Sequence, residues 1–136
     1  MKAVFTPHAP QPIGPYSQAV ESGELVFCSG QVAIVAETGK LVDGDAGAQT
    51  EQVLRNMGEV LKAAGLSHAD VVKTTIFLVD MNDFPKVNAA YITAFAQTKP
   101  ARSTVAVAAL PMGAKVEIDA IAIRHSASTA QRDGRV

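Results

Sequence analysis

Apolar residues recur along two stretches of the chain with helical spacing. Val53, Leu54, Met57, Val60, Leu61 and Ala64 form one stripe at a period of 3.6, which predicts a helix over residues 45–64 with Gly65 closing it. Gly58 falls off this stripe and weakens the helix slightly. Phe84, Val87, Tyr91, Ala94 and Phe95 form the buried stripe of a second helix that Asp83 is expected to cap, with Pro85 tolerated in the first turn. Asn88 lies beside that stripe, where an ordinary exposed polar residue would sit.

Elsewhere the pattern is that of strands. Leu25–Gln31 (LVFCSGQ) is one, with Gly30 marking a bulge or a close approach of something to the backbone. A weaker strand continues over 32–35 before the turn Glu37-Thr38-Gly39-Lys40. Residues 71–79 (VVKTTIFLV) are almost continuously apolar and β-branched, which predicts an interior strand covered on both faces, with Lys73 near an end. Residues 102–109 and 115–125 are two more strands, joined by a turn at 110–114. Residues 1–18 carry Pro7, Pro10, Pro12 and Pro15 and read as an extended segment laid over the fold, followed by a turn at Glu21-Ser22-Gly23-Glu24. Residues 126–136 have no periodicity and read as a disordered tail after a single domain spanning 1–125.

The order strand, helix, strand, helix, strand, strand implies right-handed crossovers between parallel strands and an antiparallel final strand. The expectation is an α+β fold: a mixed sheet with both helices on one face. The other face is then bare, with Ala106, Ala108, Ala120 and Ala122 making parts of it smooth and apolar, and other subunits should cover it. Arg102 opens one of the last two strands and Glu117 sits two residues into the other. Antiparallel strands place those starts at opposite ends of the sheet, about 20 Å apart at ~3.3 Å per residue. If the two share a site, it lies between chains.

Composition narrows the function. With 136 residues, 48% hydrophobic and 18% charged, the chain is a folded domain. A net charge of -1 and 5% aromatic residues argue against a nucleic-acid surface or an anionic membrane as partner. The single cysteine, Cys28, excludes an intrachain disulfide and reads as a core residue. The N-terminal stretch lacks the apolar region of a signal peptide, and no run is long enough to span a membrane, so the expected location is the cytoplasm. His8, His68 and His125 have no metal-ligand spacing. Arg102, after Pro100 and Ala101, is either a surface arginine at a strand end or a fork for binding a carboxylate or phosphate. Tyr16, after Gly14-Pro15, is either a packing residue or a pocket residue.

Several segments, taken in order, resemble the Rid (YjgF) family of reactive intermediate deaminases. They are Pro12-Ile13-Gly14-Pro15-Tyr16-Ser17-Gln18-Ala19, Ser29-Gly30-Gln31, Val72-Lys73-Thr74-Thr75, Asp80-Met81-Asn82-Asp83-Phe84, Val87-Asn88-Ala89-Ala90-Tyr91, Pro100-Ala101-Arg102-Ser103-Thr104-Val105 and Val116-Glu117-Ile118-Asp119-Ala120-Ile121-Ala122. The resemblance implies a fold like that of Bacillus-type chorismate mutase, with core strands in the order 1-4-2-3 and only strand 4 antiparallel. It implies a homotrimer with three clefts between subunits. It also implies hydrolysis of small 2-imino acids, or their enamine tautomers, to 2-keto acids and ammonia, the imines coming from pyridoxal-phosphate enzymes such as dehydratases.

In that family likeness Arg102 holds the substrate carboxylate and Glu117 activates water or returns a proton, while Tyr16, Ser29, Gly30, Asn88 and Thr104 line the pocket. A protonated imine is already an electrophile, so this chemistry needs no cofactor. The chain departs from the family pattern in three places. Thr104 replaces a frequent cysteine, Ala33 a frequent proline, and the connection from Tyr91 to Pro100 is about three residues short. The alternative functions are a carboxylate-binding regulatory trimer without turnover and, less in keeping with the charge, a ribonuclease or translation inhibitor.

Overall fold

The computed structural model describes residues 1–125; the expected tail at 126–136 lies outside the described residues. Eight strands and two α-helices follow one another as β1 (Lys2–Val4), β2 (Ala19–Ser22), β3 (Leu25–Gln31), β4 (Ile34–Val35), β5 (Lys40–Leu41), α1 (Ala46–Ala63), β6 (Val71–Leu78), α2 (Phe84–Phe95), β7 (Ala101–Ala106) and β8 (Val116–Ile123). Six strands form one sheet in the order β1-β2-β3-β8-β6-β7, and β4 and β5 make a separate hairpin. β8 runs antiparallel to β3 and β6 on its two sides, while β6 and β7 are parallel. Counting only β3, β6, β7 and β8, this is the 1-4-2-3 order with the last strand reversed.

The first helix starts and stops where its sequence says, and the second starts there too. Asp45 caps α1, its carboxylate accepting the Ala48 N–H, and Gly65 takes the left-handed conformation (φ 77°) after the helix ends. Before α2 the capping differs from expectation: the Asp83 side chain makes no cap bond, and Asp80 accepts the Asn82 N–H instead, one short 3-10 turn earlier. The stripe of α1 packs with α2 and the inner sheet face into one core built around Val53, Met57, Leu61, Ile76, Leu78, Val87 and Ile118. Gly58 has a packing reason. A Cβ there would lie 2.8 Å from Cε1 of His68, whose Nε2 sits 2.9 Å from the Leu54 carbonyl.

Two expectations about the sheet need correction. The N-terminal segment is not wholly outside it: Lys2–Val4 and Ala19–Ser22 pair as an outer hairpin, so Glu21 and Ser22 are strand residues. Ala120 and Ala122 do not smooth the bare face. They are buried toward the helices, and their neighbours Glu117, Asp119, Ile121 and Ile123 line the open face of β8. The open face is nevertheless rich in apolar side chains, since Leu25, Phe27 and Val105 remain 37–43% exposed. β6 is interior as a strand, but Lys73, Thr75 and Phe77 on its open side are only half-buried within one chain.

Candidate functional site

Arg102 is the second residue of β7, the edge strand, and its register partner on β6 is Thr74. Thr74 is fully buried under α2, so Arg102 projects to the helix side of the sheet. There Nη1 donates to Oδ1 of Asn88 at 2.7 Å, and the guanidinium lies 4.9 Å from the Tyr91 ring centre and 5.4 Å from that of Phe84. Phe84, Asn88 and Tyr91 are spaced i, i+4, i+7, so one face of α2 presents all three. This spacing was readable in the sequence, yet Phe84 and Tyr91 pass there for core residues and their role at the arginine is missed. Arg102 borders a groove of about 490 Å³ between α2 and the chain leading into β7, lined also by Ile92, Phe95, Lys99 and Pro100. Lys99, two residues before β7, holds a positive φ of 46° and closes the helix end through its N–H to the Phe95 carbonyl. Thr104 lies two residues along β7 on the same side as Arg102, opposite Ile76.

Glu117 is the second residue of β8 and pairs with Phe77. The β3–β8 ladder shifts register between Cys28 and Gln31, and the Glu117 carboxylate lies against Gly30 inside that irregularity. A Cβ at position 30 would come within 2.8 Å of Cδ and 3.0 Å of Cγ of Glu117. Gly30 is thus both bulge and close approach, the two readings its place in the strand allowed. Half-burial, and then the neighbouring Asp119 carboxylate, push the Glu117 carboxyl above its ordinary value. Ser29 donates its hydroxyl to the Ser17 carbonyl at 2.6 Å, which ties the N-terminal segment to the bulge. Tyr16 and Gly30 border a small cleft of about 40 Å³ next to it. Cys28 is buried and its thiol is pushed up to about 11 by burial and by Asp119, which fits a core residue rather than a nucleophile.

The predicted residues therefore gather in two groups. Asn88, Arg102 and Thr104 stand at the α2–β7 edge; Tyr16, Ser29, Gly30 and Glu117 stand around the β3–β8 irregularity. Thr74 and Phe77, the register partners of Arg102 and Glu117, are three residues apart on β6, so their side chains point to opposite faces. The separation along the sheet is about 14 Å, three residues and two strand spacings, rather than about 20 Å. The distance is shorter because Arg102 and Glu117 each stand one residue inside their strands, opposite Thr74 and Phe77 of β6. The opposite faces matter more: within one chain the arginine and the carboxylate cannot converge. Among the described residues no group of three or more His, Cys, Asp or Glu side chains could hold a metal ion, and no helix is long and apolar enough to cross a membrane.

A chain with this fold has known counterparts. Residues 6–124 match the family described as endoribonuclease L-PSP, and the chain belongs to that family, also called Rid or YjgF. It is 50% identical to mouse 2-iminobutanoate/2-iminopropanoate deaminase over 90% of this chain and 91% of the mouse protein. A crystal structure from Thermotoga maritima is 48% identical with a TM-score of 0.90, covering 93% of this chain and 99% of that one. The structure of RidA from the Antarctic bacterium Psychrobacter is 41% identical with a TM-score of 0.87, covering 90% and 98%.

Proposed function

We propose that this protein is a deaminase that hydrolyses small 2-imino acids and their enamine tautomers to 2-keto acids and ammonia. The observation that carries the reading is the state of Arg102: its guanidinium is oriented by Asn88 and two aromatic rings, yet stays exposed beside an open groove. Arginine presents five N–H donors in a planar fork, and one bond to Asn88 leaves the others for a bidentate carboxylate. The mouse relative's name gives the substrate class.

The two groups of residues complete one another in a homotrimer. An open sheet face with exposed Leu25, Phe27 and Val105 supports such packing. Arg102, Asn88 and Thr104 of one subunit then face Tyr16, Ser29, Gly30 and Glu117 of the next across a cleft. Arg102 holds the substrate carboxylate and so fixes the position of the imine carbon. Glu117, with its proton affinity raised by burial, takes a proton from water as the oxygen attacks that carbon and forms a carbinolamine. The proton passes to the amine nitrogen, the C–N bond breaks as the hydroxyl gives up its proton and becomes the carbonyl, and the 2-keto acid and ammonia leave. Substrate arises wherever an enzyme releases a 2-imino acid, as pyridoxal-phosphate dehydratases do.

The test uses an imine generated in solution by an amino-acid oxidase. Wild type should speed ammonia release above the spontaneous rate, and Arg102→Ala should bring it back to that rate. Equal rates with wild type, with the variant and without protein would dismiss the enzymatic reading. Binding of 2-oxobutanoate that depends on Arg102 without any acceleration would favour a carboxylate-binding regulator instead.

A further inference from the structure

We infer that Tyr91, supported by Thr74 and flanked by Phe84, is a positioning residue for Arg102. The inference rests on the carboxylate-anchor reading of Arg102 and goes beyond it, because it concerns the ring packed against the guanidinium. An arginine on an exposed edge strand has several rotatable bonds and would ordinarily sample many orientations, which costs affinity each time it is immobilised. Here three contacts converge on the guanidinium. Asn88 Oδ1 accepts from Nη1 at 2.7 Å, and the Tyr91 and Phe84 rings stand 4.9 and 5.4 Å from its centre. Both ring distances fall within the range for cation–π attraction.

The Tyr91 ring is itself held. Its hydroxyl lies 2.7 Å from Oγ1 of Thr74, with Thr74 fully buried and Tyr91 only 7% exposed. Thr74 is the register partner of Arg102, so the same step of the β6–β7 ladder sets both the backbone of the arginine and the anchor of the ring beneath it. Behind Tyr91, Phe95 packs at 4.6 Å between ring centres and His68 meets Phe95 edge-on at 5.5 Å. The column continues to the Leu54 carbonyl of α1 through His68 Nε2. The orientation of the carboxylate fork is thus referred back to the core rather than left to the edge strand.

A ring face acts on the arginine whether or not the tyrosine hydroxyl is present, so the two parts of the side chain are separable. Tyr91→Leu removes the ring, Tyr91→Phe removes only the hydroxyl, and Phe84→Leu removes the outer ring from a less buried position. Steady-state ammonia release should show KM raised roughly five- to tenfold in Tyr91→Leu, with kcat within about twofold of wild type. Phe84→Leu should raise KM in the same direction by less, and Tyr91→Phe should recover most of the wild-type KM. The Nε–H resonance of Arg102, assigned by comparison with Arg102→Lys, should be displaced by ring current in wild type and Tyr91→Phe and return to the range of exposed arginines in Tyr91→Leu. Unaltered KM and an unmoved Nε–H resonance in Tyr91→Leu and Phe84→Leu would overturn the proposal while leaving Arg102 as the anchor. If Arg102→Ala itself behaves as wild type, the anchor reading fails and Tyr91 loses this role with it. The resonance reports the ring contact separately, without relying on activity.

Discussion

Replacing Gly30 by alanine isolates the contact between the bulge and Glu117. A Cβ at position 30 would lie 2.8 Å from Cδ of Glu117, against a comfortable carbon–carbon contact of ~3.5–4.0 Å. The carboxylate must therefore retreat by roughly 1 Å. Gly30 is not among the glycines with positive φ, so alanine fits its backbone, and the group that gives way is the end of a flexible side chain. The stability cost is small, and the reduced freedom of the unfolded chain offsets part of it by about 0.4–1 kcal/mol. Catalysis is another matter, since a misplacement of ~1 Å in a reacting group can cost on the order of 10²-fold. Gly30→Ala should thus keep its melting temperature within a few degrees of wild type while kcat for ammonia release falls by about two orders of magnitude. A Gly30→Ala enzyme with kcat within a factor of two of wild type would overturn this account of Gly30.

Three further outcomes follow from the structure. Glu117 has its carboxyl raised by burial and by Asp119, so the folded chain binds that proton more tightly than the unfolded one. Its stabilising contribution is present below the unfolded value and lost as pH rises through the folded value. Glu117→Gln should therefore raise thermal stability at neutral pH while removing activity, and the acid limb of kcat/KM in wild type should fall above the ordinary glutamate value of 4.5. Asn56, 2% exposed, donates to the Val32 and Ile34 carbonyls, so Asn56→Ala should cost about 2 kcal/mol in denaturant unfolding. Cys28, with its thiol pushed up to about 11, should resist iodoacetamide at neutral pH in the folded protein and react readily in denaturant.

The helices were legible because each stripe obeys one period over twelve residues, and Gly65 marks the end of the first. β1 and β2 were not: three and four residues, with Lys2 and Glu21 among them, are too short for alternation to register. The faces of β8 were misread for a physical reason. Alanine looks like a surface-smoothing residue, but Ala120 and Ala122 are small because the helix layer packs over them, with Met57 and Leu61 of α1 in the same core. Gly30 announced itself by standing inside an apolar run. Arg102 stood out as a donor fork at a strand start, strand order set it apart from Glu117, and family likeness then gave the pair a chemistry. That separation, argued along the sheet, proves sharper across it, since register puts the two on opposite faces. Tyr91 and Phe84 escaped notice because aromatic residues on a helical stripe look alike whether they fill a core or cradle a cation.

Complementation between two inactive chains tests the central claim most directly. Arg102→Ala supplies Glu117 without the anchor, and Glu117→Ala supplies the anchor without the base; each alone should release ammonia only at the spontaneous rate. When the two are unfolded together in equal amounts and refolded, random assembly of a closed ring places an intact Arg102 opposite an intact Glu117 in about one cleft in four. Activity should return to about a quarter of wild type, in proportion to mixed assemblies. A refolded mixture that stays inactive, while wild type treated the same way regains its activity, would contradict a site built between chains.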